Sequence, residues 1–217
     1  QHVKADVVFA MFGYNESFSG PQAADSHKKL LIDFVSKIRS YKPNGKDFPR
    51  IVLFSPIAFE DLKDRNLPRG KAHNKNLSAF SKATQEAARE AGVAYVDLYG
   101  PTLKLYEQSK VALTLNGVHL NELGNKKVGE IITQALLETR TIASPANEKL
   151  RQAVLQKNWH WHNRYRATDG NDVWGGRSGL RFVDDQSNAE VLQHELVMLD
   201  VMTANRDKLV WATAQGK

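Results

Sequence analysis

Two hydrophobic periods alternate along the first two thirds of the chain. Three short apolar runs rich in β-branched and aromatic residues, at 5–11, 51–54 and 93–98, are separated by longer stretches whose apolar residues recur at helical spacing. Behind the first run, Leu30, Leu31, Phe34, Val35 and Ile38 share one helical face, with Asp25 and Ser26 as candidate caps and Pro43-Asn44-Gly45 as a stop. The second run ends at Ser55-Pro56, where proline disfavours helix. A charged loop then leads to a helix over about 74–91 with Leu77, Phe80, Ala83, Ala87, Ala88 and Ala91 facing inward, closed by Gly92. The third run precedes a loop and a helix over about 121–138, with Leu123, Val128, Ile131, Ile132, Ala135 and Leu136 inward. Strands that alternate with helices bury both faces of a parallel sheet, so the predicted class is α/β, a three-layer α/β/α domain. In such sheets ligands bind beyond the carboxyl ends of the strands. Residues 13–17, 55–58 and 97–101 therefore converge on one rim, and the loop at 115–120 is placed to reach it.

After Thr141 the alternation stops. Ser144-Pro145 opens a helix carrying Leu150, Val154 and Leu155, followed by an irregular aromatic and glycine-rich run over 159–179 and a last helix over about 188–206. The predicted organisation is an α/β domain at 1–143 and a helical appendage at 144–217. No repeat of fixed period is present.

Composition narrows the chemistry. Cysteine is absent from the 217 residues, which excludes disulfides, thiolate zinc sites and cysteine nucleophiles. No stretch approaches the roughly 18 uncharged apolar residues of a membrane span. The net charge of +6, from 30 basic and 24 acidic residues, is concentrated in 37–82, where 11 basic residues meet four acidic ones. With no interleaved aromatic platform and no helix-turn-helix or RNA-binding signature, this reads as a solvated face, with no nucleic-acid partner. A rim that attracts an acidic polymer is the secondary reading. Phosphate-binding loops, dinucleotide fingerprints and kinase motifs do not occur.

Two stretches carry candidate chemistry: Phe12-Gly13-Tyr14-Asn15-Glu16, directly after the first strand, and Leu115-Asn116-Gly117-Val118-His119-Leu120-Asn121, directly before the last helix of the α/β part. Asn15 has two readings, a turn residue whose amide binds local backbone or a side-chain donor aimed at developing negative charge. His119 has two as well, a satisfied histidine opening a helix or a general base. Gly13 permits the tight turn before Asn15, and Glu16 is placed to brace it.

Taken together, in this order and 104 residues apart from Asn15 to His119, the stretches resemble two of the four sequence blocks of the SGNH, or GDSL-like, hydrolase superfamily, of the forms Gly-x-Asn-Asp/Glu and Asp-x-x-His-Leu/Pro. The resemblance covers about residues 1–140. It implies a flavodoxin-like sheet, incomplete at its N-terminus, and hydrolysis of ester bonds on small molecules or carbohydrates, acetyl groups on sugars among them, with no metal or organic cofactor. In that scheme a serine attacks the ester, His119 accepts its proton, the residue at 116 orients the imidazole and Asn15 donates to the oxyanion. Position 116 carries Asn116 where the family has aspartate. The Gly-Asp-Ser block is not found upstream of Asn15; Ser17, Ser19 and Ser55 lack the glycine-flanked elbow of a nucleophile and read as turn or capping hydroxyls. The expectation is therefore an internal segment, inactive alone, whose nucleophile lies upstream of Gln1.

The run Trp159-His160-Trp161-His162-Asn163-Arg164-Tyr165 resembles that of large exported planctomycete-type members, which implies an extracellular or periplasmic location. On a strand, His160 and His162 would share one face as half of a metal site, but no carboxylate pair accompanies them and packing is the preferred reading. The competing function is a non-catalytic polysaccharide-binding module in which Tyr165, Arg166, Trp174 and Arg177 line a sugar cleft. Asp184-Asp185 reads as a loop or helix cap. The oligomeric state is not set by the sequence.

Overall fold

Strand β2 (Arg50–Phe54) organises the α/β part, because its side chains alternate between two apolar layers. The computed structural model describes residues 4–137, 145–166, 170–181 and 184–216. β2 lies between β1 (Val7–Met11) and β3 (Ala94–Val96) in a parallel sheet of order β1-β2-β3. Ile51 and Leu53 join Ala10 on one face, against Leu31 and Val35 of α1 (Ala24–Ser40) and Ala87 and Ala88 of α2 (Gly70–Ala91). Val52 and Phe54 turn to the other face, with Val96, Leu98 and Val128 of α4 (Glu122–Leu137), whose Ile131, Ile132 and Leu136 pack around them. Helices thus cover both faces, the three-layer α/β/α arrangement. Leu53 and Phe54 are wholly buried, each contributing about 1.5–3 kcal/mol.

The register fixes where the loops emerge. Met11 lies opposite Phe54, and Phe54 opposite Val96, so the three carboxyl ends are level. Phe12, Ser55 and Asp97 begin their loops along one edge of the sheet.

Several boundaries differ from the sequence expectation. α1 follows directly on the short turn Pro21–Ala23, with Ala23 at the cap, so Asp25 and Ser26 lie inside its first turn instead of capping it. α2 starts four residues earlier than expected, at Gly70. A helix unforeseen in the sequence, α3 (Tyr99–Gln108), takes Pro101 into its first turn, where proline costs no hydrogen bond. Its start is held by Ser55 Oγ, which accepts from Leu98 N at 2.7 Å and Tyr99 N at 3.0 Å.

The chain divides into two compact units, Gln1–Thr141 and Ile142–Lys217. The expected boundary between residues 143 and 144, and the expected helix start at Ser144, lie outside the described residues. Within the second unit α5 (Pro145–Tyr165) and α7 (Asn188–Ala214) pair, with the short α6 (Gly170–Val173) beside α7. Lys157 bonds Asp207, and Arg164 bonds Asp200 at 2.8 Å; seven residues up α5 is seven residues down α7, so the helices run antiparallel. Ser187 and Glu190 cap the start of α7 reciprocally.

The irregular run expected from 159 is a correction: residues 159–165 complete α5, and α7 continues to Ala214. His160 and His162 sit two apart on a helix, about 200° around its axis. His160 is buried with Nδ1 2.7 Å from the Gln156 carbonyl, while His162 is exposed. They do not share a face. Among the described residues no group of three His, Cys, Asp or Glu is placed to hold a metal ion, and no described helix is long and apolar enough to cross a membrane.

Candidate active site

The turn after β1 is built around Gly13, whose φ of +108° is a conformation that favours glycine. A Cβ there would stand 3.2 Å from His27 Nε2 and 3.4 Å from Pro56 Cδ. Glu16 braces the turn by accepting from Gly13 N at 2.9 Å. Ser17 N donates to the Gly13 and Tyr14 carbonyls, and Ser17 Oγ to Tyr14 O at 2.6 Å. Asn15 heads the resulting 3₁₀ turn, Glu16–Ser19. Its side chain is exposed and makes no capping hydrogen bond to that turn.

Beneath the turn, His27 is buried against Phe80, with Thr84 Oγ1 at 3.5 Å from its Nε2. Burial lowers its pKa below the ordinary imidazole value, opposed in part by the charge of Glu16.

The second stretch forms a narrow loop. Thr114 and Leu120 bridge antiparallel, Leu115 N donates to His119 O at 2.7 Å, and Asn121 N donates to Leu113 O at 3.0 Å. Residues 116–119 make the tip. Asn116 Oδ1 accepts from His119 N at 3.0 Å and Val118 N at 3.3 Å. These two backbone donors identify the atom as the oxygen rather than the nitrogen of the amide. The same oxygen lies 3.1 Å from His119 Nδ1. The oxygen can only accept, so this contact selects the tautomer with the proton on Nδ1 and leaves the Nε2 lone pair unprotonated. The imidazole is exposed.

The structure brings Asn116 and His119 into direct contact and places Asn15 on a separate turn. A line of ring contacts runs between the two stretches: Phe18 lies 5.2 Å from His73, His73 stacks on Phe59 at 5.0 Å, and the Phe59 ring fills the space above Gly117. The first turns of α2 hold both sides. Asn76 Nδ2 donates to Ser17 O at 3.1 Å, while the Asn74 amide accepts from Phe59 N and donates to Phe59 O at 2.8 and 2.9 Å.

Two of the serines near these loops, Ser17 and Ser55, are engaged locally, while Ser19 is exposed. Ser55 is buried, accepts from Leu98 N and Tyr99 N and contacts Asp97 Oδ1 at 3.2 Å; Ser17 is buried and bonds within its own turn.

One residue that the sequence reading passed over is Glu60. It is 6% exposed, and its carboxylate accepts from Leu113 N, from Thr114 N at 2.7 Å and from Thr114 Oγ1 at 2.6 Å. The available signal was an acid ending the otherwise uncharged run Ser55-Pro56-Ile57-Ala58-Phe59 straight after a strand.

Comparison with known proteins bears on this geometry. No curated protein matches the chain. Among solved structures, it is similar to LAE5, an alpha/beta hydrolase enzyme from the metagenome of Lake Arreo, Spain, at 18% identity and a TM-score of 0.47, over 62% of this chain and 61% of that one. The chain thus spans about three fifths of that protein's length. The sequence pattern of the GDSL-like Lipase/Acylhydrolase family matches residues 1–127, more than half of the chain and both loops just described. The chain belongs to the GDSL-like lipase/acylhydrolase family, within the SGNH hydrolase superfamily.

Proposed function

We propose that this chain supplies the base and the oxyanion donor of a serine-dependent ester hydrolase. The observation that carries the reading is the Asn116–His119 contact, in which an oxygen fixed by two backbone donors sets the imidazole with Nε2 free and exposed. A lone pair so placed takes the proton of an attacking hydroxyl and returns it to the leaving alcohol. The Asn15 amide, exposed and without a capping bond, donates to the oxyanion of the tetrahedral intermediate. Loss of one such donor costs about 10²–10³ in rate. With Ser17 and Ser55 held in local hydrogen bonds, the reading assigns the attacking serine to a block other than these. The scheme needs no metal or organic cofactor.

The proposed substrates are acyl esters of small molecules or carbohydrates, O-acetyl sugars in particular. Full-length protein is expected to hydrolyse nitrophenyl acetate, and His119→Ala to abolish turnover with an unchanged circular dichroism spectrum. Retained turnover in that variant removes His119 from the mechanism.

A second reading, a silent relative that binds polysaccharide, is favoured by one observation in the second unit. Trp161 and Tyr165 are exposed with rings 5.0 Å apart, a surface on which sugar rings can stack. It predicts retention on a polysaccharide column with no acyl release from any ester, the opposite of the hydrolase outcome.

A further inference from the structure

Glu60 has the contacts of a device that holds the His119 loop, and resting on the hydrolase reading above, we propose that it is the positioning residue for the general base. Its carboxylate is buried and, among the described residues, pairs with no cation. Among the described residues its hydrogen-bond donors belong to one segment 53 or 54 residues away: Leu113 N meets Oε1 and Oε2 at 3.0 and 3.1 Å, and Thr114 gives its N–H and its hydroxyl to Oε2. The backbone of Glu60 closes on the same loop, its N–H donating to Gly117 O at 2.9 Å. Thr114 Oγ1, while donating to Glu60, accepts from Gly117 N at 2.9 Å. Gly117 is therefore held through both its N–H and its carbonyl, directly or through Thr114, by one acidic residue.

Gly117 lies between Asn116 and His119, so what fixes it fixes the tip. The loop's own bonds, Leu115 N to His119 O and the Thr114–Leu120 bridge, set its internal shape but not its position relative to the sheet. Leu120 packs one end of the loop on the second apolar layer, and the hydrogen bonds that tie the tip come from Glu60, whose neighbour Phe59 is anchored by both backbone atoms to Asn74 of α2. A carboxylate suits this place because it offers only acceptors, and the loop presents two N–H groups and a hydroxyl together. A glutamine of equal size would turn an NH₂ toward at least one of those donors.

The test uses full-length protein with Glu60→Gln and, as a milder second variant, Thr114→Val. Three quantities are read: amide exchange at Leu115 and Gly117 with Leu53 as reference, the ¹⁵N shifts of the His119 imidazole, and kcat and KM for nitrophenyl acetate. The expected result is exchange at least tenfold faster at Leu115 and Gly117 with Leu53 unchanged, loss of the single Nδ1–H tautomer, and kcat down at least tenfold with KM within twofold. Unchanged loop exchange and tautomer, or a kcat equal to wild type, overturns the proposal. So does loss of protection at Leu53 in step with the loop in both variants, the mark of a purely structural role. If the wild-type protein has no turnover, the hydrolase reading falls, while the exchange and imidazole measurements still decide whether Glu60 positions His119.

Discussion

Gly117→Ala is the substitution for which the structure gives the sharpest expectation. A Cβ built on Gly117 would stand 2.3 Å from Phe59 Cζ and 2.7 Å from Cε1 and Cε2. Ordinary carbon contacts begin at about 3.5 Å, so the ring must retreat by about 1 Å. It has little room: Phe59 is 4% exposed, stacks on His73 at an interplanar angle of 17°, and has its backbone tied to Asn74 at both N and O. Overpacking of this kind costs about 1–3 kcal/mol. The φ of +90° at Gly117 adds a second cost of about 1–3 kcal/mol for any residue with a Cβ. The sum, about 2–6 kcal/mol, is a large part of a typical domain's 5–15 kcal/mol. All four tryptophans, Trp159, Trp161, Trp174 and Trp211, belong to the second unit, so unfolding of the first needs a probe of its own. Urea unfolding should instead be followed by amide exchange at Leu53 and Phe54. The companion variant Phe59→Leu separates the two costs: the double variant should recover the overpacking share and retain the φ share, a coupling of about 1–3 kcal/mol. A Gly117→Ala cost below about 0.5 kcal/mol, or no coupling to Phe59, would refute the reasoning.

Three further expectations follow from named groups. Because burial holds the His27 pKa below its ordinary value, the folded chain resists a proton that the unfolded chain accepts; stability is full above about pH 6.5 and falls as pH drops toward the folded-state value, by at most about 1.4 kcal/mol per pH unit for this one group. Urea midpoints at several pH values should show that slope and should lose it in His27→Phe; an identical slope in the variant counts against His27 as its source. Tyr106 Oη is buried without a hydrogen-bond partner among the described residues, and burial together with the Glu60 charge pushes the phenol up. Tyr106→Phe should therefore leave stability unchanged or raise it by about 1 kcal/mol, and a loss of that size in thermal unfolding would show that the hydroxyl is bonded after all. Asn116→Asp keeps an oxygen for both backbone donors and adds charge; hydrogen bonds to charged groups exceed neutral ones by about 1–1.5 kcal/mol, so kcat of the full-length enzyme should rise roughly tenfold. A fall in kcat would mean that Asn116 does not face the imidazolium.

Those elements legible in the sequence were the ones whose burial is two-sided or strictly periodic. β2 reads as a strand because Ile51 to Phe54 are all buried, and α2 because Leu77, Phe80, Ala83, Ala87 and Ala88 recur along one face. α3 was hidden by Pro101, which ends helices everywhere except in the first turn, where it happens to lie. The end of α5 was hidden by Trp159, Trp161 and Tyr165, aromatic residues of modest helix propensity that stand exposed on it. In the candidate site, Asn15 and His119 stood out because each lies two residues after a glycine and follows or precedes a regular element. Glu60 did not, because its meaning lies in contacts 53 and 54 residues away, and no local pattern encodes them.

The departure at position 116 and the burial of Glu60 have a common physical explanation under the proposed mechanism. An aspartate at 116 would attract an imidazolium through its charge, an interaction that falls off slowly with distance and tolerates small misplacement. A neutral amide oxygen works through a hydrogen bond, which weakens steeply once distance or angle is lost. A site that uses asparagine as its orienting group must therefore hold donor and acceptor in place by other means. Here Asn116 Oδ1 is tied to two backbone N–H groups of its own loop, and that loop is tied through Leu113, Thr114 and Gly117 to Glu60. The negative charge missing beside the imidazole stands instead beneath the loop, where it acts on the backbone and fixes geometry. Such an arrangement makes catalysis depend more on the order of the loop than on the charge of the residue facing His119. Glu60→Gln should accordingly cost the enzyme at least as much rate as Asn116→Asp returns to it.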